Sequence, residues 1–254
     1  MTGYHLIGHS AAFTRVLNAA RMVAPTDATI LLYGETGTGK ATLAREIHAC
    51  STRRLRPFLA LAAATLTGEL FERAPDTEQG AALRNAAGGT LFLDEVADLG
   101  PAAQAALLRY LETGAVGPFA TEPLSLRVIA ATATDLGARV AEGMFRGDLF
   151  HRLNVVPLEV PSLRERIEDL PLLLKHYARA FARELACPPS SFRPTALHAL
   201  KAYDWPGNVR ELRNLCERLA ILLPGTPIGP DNLPVEMRSA LRNAGAAGFR
   251  LPVG

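Results

Sequence analysis

Short runs of apolar residues alternate with helical patterns up to about residue 160. The apolar runs predict five strands, at residues 29–33, 57–61, 90–93, 126–131 and 155–160. Helical periodicity covers residues 11–23, 41–50 and 101–113. Short buried strands that alternate with helices are typical of a mostly parallel sheet with helices on both faces. The pattern therefore predicts an α/β fold with a mostly parallel five-stranded sheet between helices.

The hydrophobic pattern changes after Pro161, where strand signals stop and helical patterns continue. Three such patterns follow, at residues 169–186, 194–203 and 207–223, with a proline-rich break at 187–194. Residues 67–87 are less regular and predict two short helices around a turn at 74–76. We therefore expect an α/β subdomain over residues 1–162, a small all-helical subdomain over 163–240 and a linker over 241–254.

A glycine-rich segment lies between the first predicted strand and the next helix, and it consists of Gly34, Glu35, Thr36, Gly37, Thr38, Gly39 and Lys40. Its glycines let the backbone curl so that N–H groups face a phosphate, and the helix N-terminus adds the positive end of its dipole. Lys40 would reach the β- and γ-phosphates of a nucleotide. The next position, where a Ser or Thr usually binds Mg²⁺, is Ala41, and Thr42 lies about 100° further around the helix. The segment predicts a phosphate loop that binds ATP or ADP.

Two acidic residues, Asp94 and Glu95, end the third predicted strand. The carboxyl edge of a parallel sheet faces the crevice in which such sheets bind ligands, and the phosphate loop lies at the same edge. Asp94 would hold Mg²⁺ through water, and Glu95 would polarise an attacking water. Alone, these residues are also compatible with a strand that ends in solvated acids, but their position after a phosphate loop favours the catalytic interpretation.

Composition limits the remaining classes of function. The formal net charge of +2 and a charged fraction of 20% do not indicate a strongly basic surface for nucleic acid. The three cysteines and six histidines show no metal-ligand spacing, so metal or thiol catalysis has no support. No apolar run approaches the roughly 20 residues that span a bilayer, and the first residues lack the features of a signal peptide. These features predict a reduced, cytoplasmic protein without a membrane partner.

The order of motifs resembles the central AAA+ domain of NtrC-like, sigma-54-dependent transcriptional activators, over roughly residues 5–240. The resemblance rests on Leu6-Ile7-Gly8, the segments GETGTGK (34–40) and GGTLFLDE (88–95), FRGDLFHRLNV (145–155), PSLRER (161–166) followed by Glu168-Asp169-Leu170, and WPGNVREL (205–212). It implies a P-loop AAA+ domain followed by a helical lid. The segment 145–155 resembles the family's arginine-finger segment, and 205–212 resembles its sensor II helix.

The resemblance also implies roles and partners. Ile7, Gly8, Thr132 and Arg210 would contact the nucleotide together with residues 34–42. Arg146 and Arg152, which would otherwise be ordinary surface residues, would enter the ATP site of a neighbouring subunit. Self-association would give a ring, as a hexamer or heptamer, or a dimer of the isolated domain. RNA polymerase holoenzyme and DNA would be partners, the latter through a C-terminal domain beyond residue 254, with a receiver or sensor domain before residue 1.

Four features depart from the family pattern. Residues 66–88 lack the Gly-Ala-Phe-Thr-Gly-Ala tip that grips sigma-54, and Ala62 stands where the family has an Asn that restrains the catalytic Glu. Ala133 replaces the sensor I Asn, and Ala41 replaces a Glu after the loop lysine. Loss of a preorganised polar contact costs about 2.7–4 kcal/mol of transition-state stabilisation. We therefore expect hydrolysis to be weak or absent, while ATP binding through the loop and lid persists.

Three functions remain open from the sequence. The first is a transcriptional regulator domain in which ATP binding, more than turnover, controls assembly, independently of sigma-54 and with the housekeeping polymerase. The second is a ring ATPase that hydrolyses ATP and remodels a different partner, which Asp94, Glu95 and both finger arginines favour. The third, a scaffold with a vestigial nucleotide site, is disfavoured by the complete glycine-rich segment.

Overall fold

The computed structural model describes residues 6–67, 78–114 and 124–238 of the 254-residue chain. These residues form two compact units, one of Leu6 and Thr14–Val160, the other of Ile7–Phe13 and residues 161–238. The predicted turn at 74–76 and the predicted linker at 241–254 lie outside the described residues. The subdomain boundary between residues 162 and 163 stays a prediction.

The first unit is an α/β unit built around a five-stranded sheet. Its elements, with the helix that leads into it, are α1 (Ala11–Val23), β1 (Ile30–Tyr33), α2 (Lys40–Ala49), β2 (Phe58–Ala62), α3 (Glu78–Asn85), β3 (Thr90–Asp94), α4 (Pro101–Thr113), β4 (Arg127–Thr132), α5 (Leu136–Ala141), α6 (Gly147–Leu153) and β5 (Val156–Glu159). The strand order is β2-β3-β4-β1-β5, and every pair is parallel. The predicted fold class is confirmed. The hydrophobic pattern gave no sign of α5 and α6, because they have only 6 and 7 residues.

Alternate residues of the central strands face the two sides of the sheet. Leu31, Leu91 and Ala130 pack in one buried cluster, while Leu32 and Ile129 pack in the other. This two-residue alternation follows from strand geometry, in which successive side chains point to opposite faces. All six residues of β4 are buried, as expected for a central strand covered on both faces. The sheet therefore holds the loops at its carboxyl edge in a rigid frame.

The second unit is helical, as predicted. Its elements are α7 (Leu170–Glu184), β6 (Ser191–Phe192), α8 (Pro194–Lys201), α9 (Asn208–Leu222) and β7 (Pro227–Ile228), with 3-10 turns at Arg164–Asp169 and Pro230–Asn232. The two short strands pair in parallel, and the sequence pattern did not indicate them because two residues carry no periodicity. Trp205 is completely buried in this core, and its indole Nε1 donates to the carbonyl oxygen of Leu200 at 2.8 Å. Within the described ranges, no helix has the length and apolar character needed to cross a membrane.

Candidate nucleotide-binding site

The glycine-rich segment 34–40 connects β1 to α2, as the sequence predicts. Gly34 has no space for a side chain, because a Cβ there would lie 2.5 Å from the carbonyl oxygen of Val160. Gly37 and Gly39 have φ angles of 82° and 106°, in a region that glycine adopts readily. No described side chain caps α2 at Gly39, so the helix turns its N-terminal N–H groups and the positive end of its dipole to the loop.

Lys40 is the first residue of α2, and only 5% of it is exposed. Its Nζ donates to the carbonyl oxygens of Gly34 and Glu35, at 2.8 and 3.3 Å. The same atom lies 3.1 Å from Oε1 of Glu95. An ammonium group has three hydrogens, so these three oxygens match its donors. The positive charge thus lies between the loop and the carboxylate that follows β3.

Glu95 has an unusual backbone conformation and both of its carboxylate oxygens are engaged. Its φ is 54° and its ψ is 59°, a left-handed conformation that is uncommon for a residue other than glycine. Oε1 pairs with Lys40, and Oε2 accepts a hydrogen bond of 2.7 Å from the backbone N–H of Ala133. The sequence missed this backbone donor, since the residue type at position 133 does not reveal where its N–H points.

Asp94 ends β3 and is partly exposed at the carboxyl edge of the sheet. Its partner in the parallel register is Ala62, the last residue of β2. A carboxylate in this position, near a phosphate loop, fits Mg²⁺, which protein sites bind through one or two carboxylates plus phosphate oxygens and water. The position opposite Asp94 carries only a methyl group, so no polar side chain of β2 extends toward the two acids there.

The other predicted loop and sensor residues lie at the same edge of the sheet. Thr132 is buried at the end of β4, and its hydroxyl accepts from the N–H of Thr134 at 3.0 Å. This bond gives the Thr132 side chain a role in the local turn, whatever its role toward a nucleotide. The buried Thr38 donates from Oγ1 to the carbonyl oxygen of Glu35 at 2.8 Å. The remaining predicted contacts in the loop and the first turn of α2 are Thr36, Ala41 and Thr42.

The two predicted finger arginines lie at the two ends of α6, Arg146 just before the helix and Arg152 in its last turn. Both side chains are about half exposed. Arg146 precedes the helix and forms an ion pair with Asp148, with Nη2 and Oδ2 2.8 Å apart. The hydrogen bond from Arg146 lowers the pKa of Asp148 to about 2. Arg152, in the last turn, lies 3.9 Å from the carboxylate of Glu112 on α4. Each guanidinium therefore has an acidic neighbour within its own chain.

Ile7 and Gly8 lie in the second unit, where Asp169 fixes their segment. Asp169 is completely buried, and its Oδ1 accepts from the backbone N–H groups of His9 and Ser10 at 2.7 and 2.9 Å. A Cβ on Gly8 would lie 2.6 Å from Oδ2 of Asp169, so only glycine fits at this position. Asp169 belongs to one of the segments that carry the family resemblance, but the sequence did not reveal this contact, which spans 160 residues of chain.

Ile7 also lines a groove of about 730 Å³ in the second unit. The other lining residues come mainly from α7 and include the apolar Leu172, the aromatic His176 and the cations Lys175 and Arg179. A groove that combines apolar and cationic walls suits a ligand that is aromatic at one end and anionic at the other. Leu172 and His176 are candidate contacts that the motifs did not indicate.

Arg210 lies in the first turn of α9 and is exposed. The turn before it is held by buried polar groups. Asn208 is completely buried, and its Oδ1 accepts from the N–H of Leu163 at 2.7 Å. Glu211 accepts from the N–H of Gly207 and from the hydroxyl of Tyr203, at 2.8 and 2.9 Å. These contacts explain the residue types around Arg210 and fix its position within the second unit.

Comparison with known proteins agrees with this architecture. Residues 6–159 match the family described as the sigma-54 interaction domain, and residues 164–248 match the AAA+ ATPase lid domain. The transcriptional regulatory protein ZraR of Salmonella typhimurium is 45% identical over 246 residues, which cover 91% of this chain and 56% of ZraR. The regulator NtrC of Bradyrhizobium is 42% identical over 233 residues, covering 86% of this chain and 48% of NtrC. The chain thus spans about half the length of these curated relatives.

Solved structures give the same result. The crystal structure of NtrX from Brucella abortus in complex with ATP superposes with a TM-score of 0.83 at 40% identity, over 97% of this chain and 60% of NtrX. Fold, lid and motifs agree with the resemblance stated from the sequence. The chain therefore belongs to the sigma-54 interaction domain family, as an AAA+ domain with its lid, and is homologous to the transcriptional regulators ZraR, NtrC and NtrX.

Proposed function

We propose that the chain is the ATP-binding domain of an NtrC-like transcriptional regulator, in which nucleotide binding controls self-association and thereby transcription. In this proposal hydrolysis is weak or absent and activation does not depend on sigma-54. The full-length protein acts in the cytoplasm with RNA polymerase holoenzyme and binds DNA through a further domain. The self-associated form is a ring, a hexamer or heptamer, or a dimer of the isolated domain.

The observation that carries ATP binding is the position of Lys40 between the loop carbonyls and Glu95. A buried ammonium at a helix N-terminus provides fixed positive charge for the β- and γ-phosphates. The relative NtrX is described in complex with ATP, which supports the same ligand here. Asp94, at the same edge of the sheet as the loop, would hold Mg²⁺. Magnesium would neutralise phosphate charge and orient the γ-phosphoryl group.

Weak hydrolysis is supported by the contacts of Glu95. A general base must accept a proton from water, and each oxygen of this carboxylate already has one partner, Lys40 for Oε1 and the N–H of Ala133 for Oε2. Neither Ala62, which pairs with Asp94, nor Ala133 has a polar group in its side chain. When ATP binds, Lys40 turns to the phosphates and releases one oxygen of Glu95. The methyl groups at 62 and 133 then provide no polar side chain that could orient the released carboxylate for catalysis.

Independence from sigma-54 rests on the sequence of residues 66–88, which lacks the family's contact hexapeptide. Residues 68–77 of this segment lie outside the described residues. The family description names a sigma-54 interaction domain, so binding of sigma-54 by this chain is the direct test. The proposal expects no binding of sigma-54 under conditions in which a relative carrying the hexapeptide binds it.

A second function, a hydrolysing ring ATPase that remodels a different partner, is favoured by the presence of Asp94, Glu95, Arg146 and Arg152. In that function the finger arginines leave Asp148 and Glu112 and stabilise charge on a neighbour's γ-phosphate. Both alternatives require ATP binding and self-association. They differ in turnover.

The deciding experiment measures ATP turnover per subunit over a wide range of protein concentration, after binding has been shown to saturate. The proposal expects saturated binding, ATP-dependent association and negligible turnover even at high concentration. A rate that rises with concentration and disappears in Arg152→Ala would instead establish the ring ATPase. Absence of ATP binding would reject both alternatives, and Lys40→Ala is the matched control for binding through the loop.

A further inference from the structure

Gln104 is a buried polar residue on the apolar side of α4. Only 2% of it is exposed, and Ala103, Leu107 and Leu108 of the same helix are buried with it. Burial of an amide without hydrogen bonds costs free energy, and an apolar residue would pack at this position without that cost. The presence of an amide here is therefore explained by its hydrogen bonds and not by packing alone.

The carboxamide of Gln104 joins two segments that are distant in sequence. Its Nε2 donates to the carbonyl oxygen of Leu99 at 2.8 Å and to that of Met144 at 3.1 Å. Its Oε1 accepts from the backbone N–H of Arg146 at 2.9 Å. Both amide hydrogens and the amide oxygen are thus used, and the orientation of the group follows because its neighbours are two acceptors and one donor.

The Leu99 side of this bridge belongs to the turn that follows Glu95. The N–H of Asp98 donates to the carbonyl oxygen of Glu95 at 2.9 Å, and the N–H of Leu99 donates to that of Val96 at 3.2 Å. Val96 and Leu99 are buried, so the turn is held against the core. A shift of the Glu95 backbone would therefore move the carbonyl oxygen that Gln104 binds.

The Arg146 side of the bridge is the start of α6. Arg146 is the N-cap residue of this helix, and its carbonyl oxygen accepts from the N–H of Phe150 at 3.0 Å. Phe145 and Leu149 anchor the segment in the core, while the Arg146 side chain is exposed. The bond from Gln104 fixes the backbone from which this guanidinium extends.

We propose that Gln104 is a positioning residue that holds Arg146 in a fixed relation to the turn after Glu95. This inference rests on the proposed function, in which Glu95 belongs to the subunit's own ATP site and Arg146 reaches the site of a neighbouring copy. Gln104 then couples the two sites within one subunit. A displacement at Glu95 on nucleotide binding changes the position of Arg146, and engagement of Arg146 by a neighbour acts back on the turn.

Two substitutions separate the parts of the bridge. Gln104→Leu has a similar size and removes all three hydrogen bonds. Gln104→Glu keeps an acceptor for the N–H of Arg146 but removes the donors to Leu99 and Met144. Leu107→Ala, one turn along α4, is the matched control because it loosens the same core without touching the bridge.

The first readout is hydrogen exchange in peptides that cover residues 144–150, without nucleotide. Exchange at the Arg146 amide should become faster in Gln104→Leu. It should rise less in Gln104→Glu, where an acceptor remains although the carbonyl oxygens of Leu99 and Met144 repel the carboxylate. Leu107→Ala should not change this amide selectively. Unchanged exchange in Gln104→Leu would overturn the inference, whatever the protein does with ATP.

The second readout is the ATP-dependent association of the 254-residue chain, measured by sedimentation velocity in a double-mutant cycle with Arg146→Ala. Gln104→Leu should weaken association about fivefold in the wild-type background but have almost no effect when Arg146 is already Ala, because contacting residues that act together are non-additive. Leu107→Ala should have equal effects in both backgrounds. Equal effects of Gln104→Leu in both backgrounds would reduce it to a structural residue and overturn the inference.

Failure of the proposed function would be visible in the wild-type chain alone. A wild-type chain that binds no ATP, or that binds ATP without associating, rejects that function, and with it the coupling between two sites. A wild-type chain that associates with ATP while the cycle is additive rejects only the role of Gln104.

Discussion

The substitution Gly34→Ala tests whether the phosphate loop depends on the close approach of β5. A Cβ at this position would lie 2.5 Å from the carbonyl oxygen of Val160, against 3.4 Å or more for an ordinary contact. The strand ends cannot separate freely, because the N–H of Gly34 donates to Thr132 and the N–H of Val160 donates to Tyr33. Overpacking costs about 1–3 kcal/mol. A strained backbone conformation costs a further amount of about 1–3 kcal/mol.

We therefore expect Gly34→Ala to lower the free energy of unfolding by about 2–6 kcal/mol, measured by urea unfolding. ATP affinity should fall at least about tenfold, since the displaced Gly34 carbonyl no longer holds Lys40 in place. The control is Gly143→Ala, where φ is 71° but no atom lies within 4 Å of the added Cβ. It should cost only the left-handed backbone term of about 1–2 kcal/mol and leave ATP affinity unchanged. Equal stability and affinity of the two variants would refute the steric argument.

Three further predictions concern the core and the titratable groups. Trp205→Ala should lower the free energy of unfolding by about 3–5 kcal/mol, measured by circular dichroism in urea. The substitution empties a fully buried site and leaves the carbonyl oxygen of Leu200 without its donor. An unchanged free energy of unfolding would contradict the assignment of Trp205 to the core. Burial lowers the pKa of His48 below its ordinary value of 6.5. Between the two pKa values the unfolded chain binds more protons than the folded chain. The contribution of neutral His48 to the free energy of unfolding is therefore fully present above pH 6.5 and is lost as the pH falls toward the lower pKa of the folded state. His48→Gln should show a smaller loss of stability between pH 7.5 and 5.5 than the wild type, and an equal loss would contradict the assignment. Burial raises the pKa of the Cys216 thiol to about 12, so a thiol reagent at pH 8 should modify Cys216 only after denaturant is added, whereas the exposed Cys50 should react in the folded protein.

The local sequence determined the sheet, the phosphate loop and the lid helices. The short apolar runs predicted as strands at 29–33 and 126–131 have the length and pattern of buried strands, and the structure places strands at Ile30–Tyr33 and Arg127–Thr132. The spacing of glycines and Lys40 after β1 predicts a phosphate loop because backbone curvature and the helix N-terminus are local properties. These features depend on residues that are close in the chain, so the sequence contains them directly.

Tertiary structure decided which groups meet at the carboxyl edge of the sheet. The bond between Glu95 and the N–H of Ala133 joins residues 38 positions apart, and Lys40 after β1 reaches Glu95 after β3 across one intervening strand, β4. The bridge from Gln104 to Arg146 spans 42 positions. A backbone N–H has no residue type, and a buried glutamine looks like any polar residue on a helix. Such contacts depend on strand order and helix packing, which no local pattern of residues specifies.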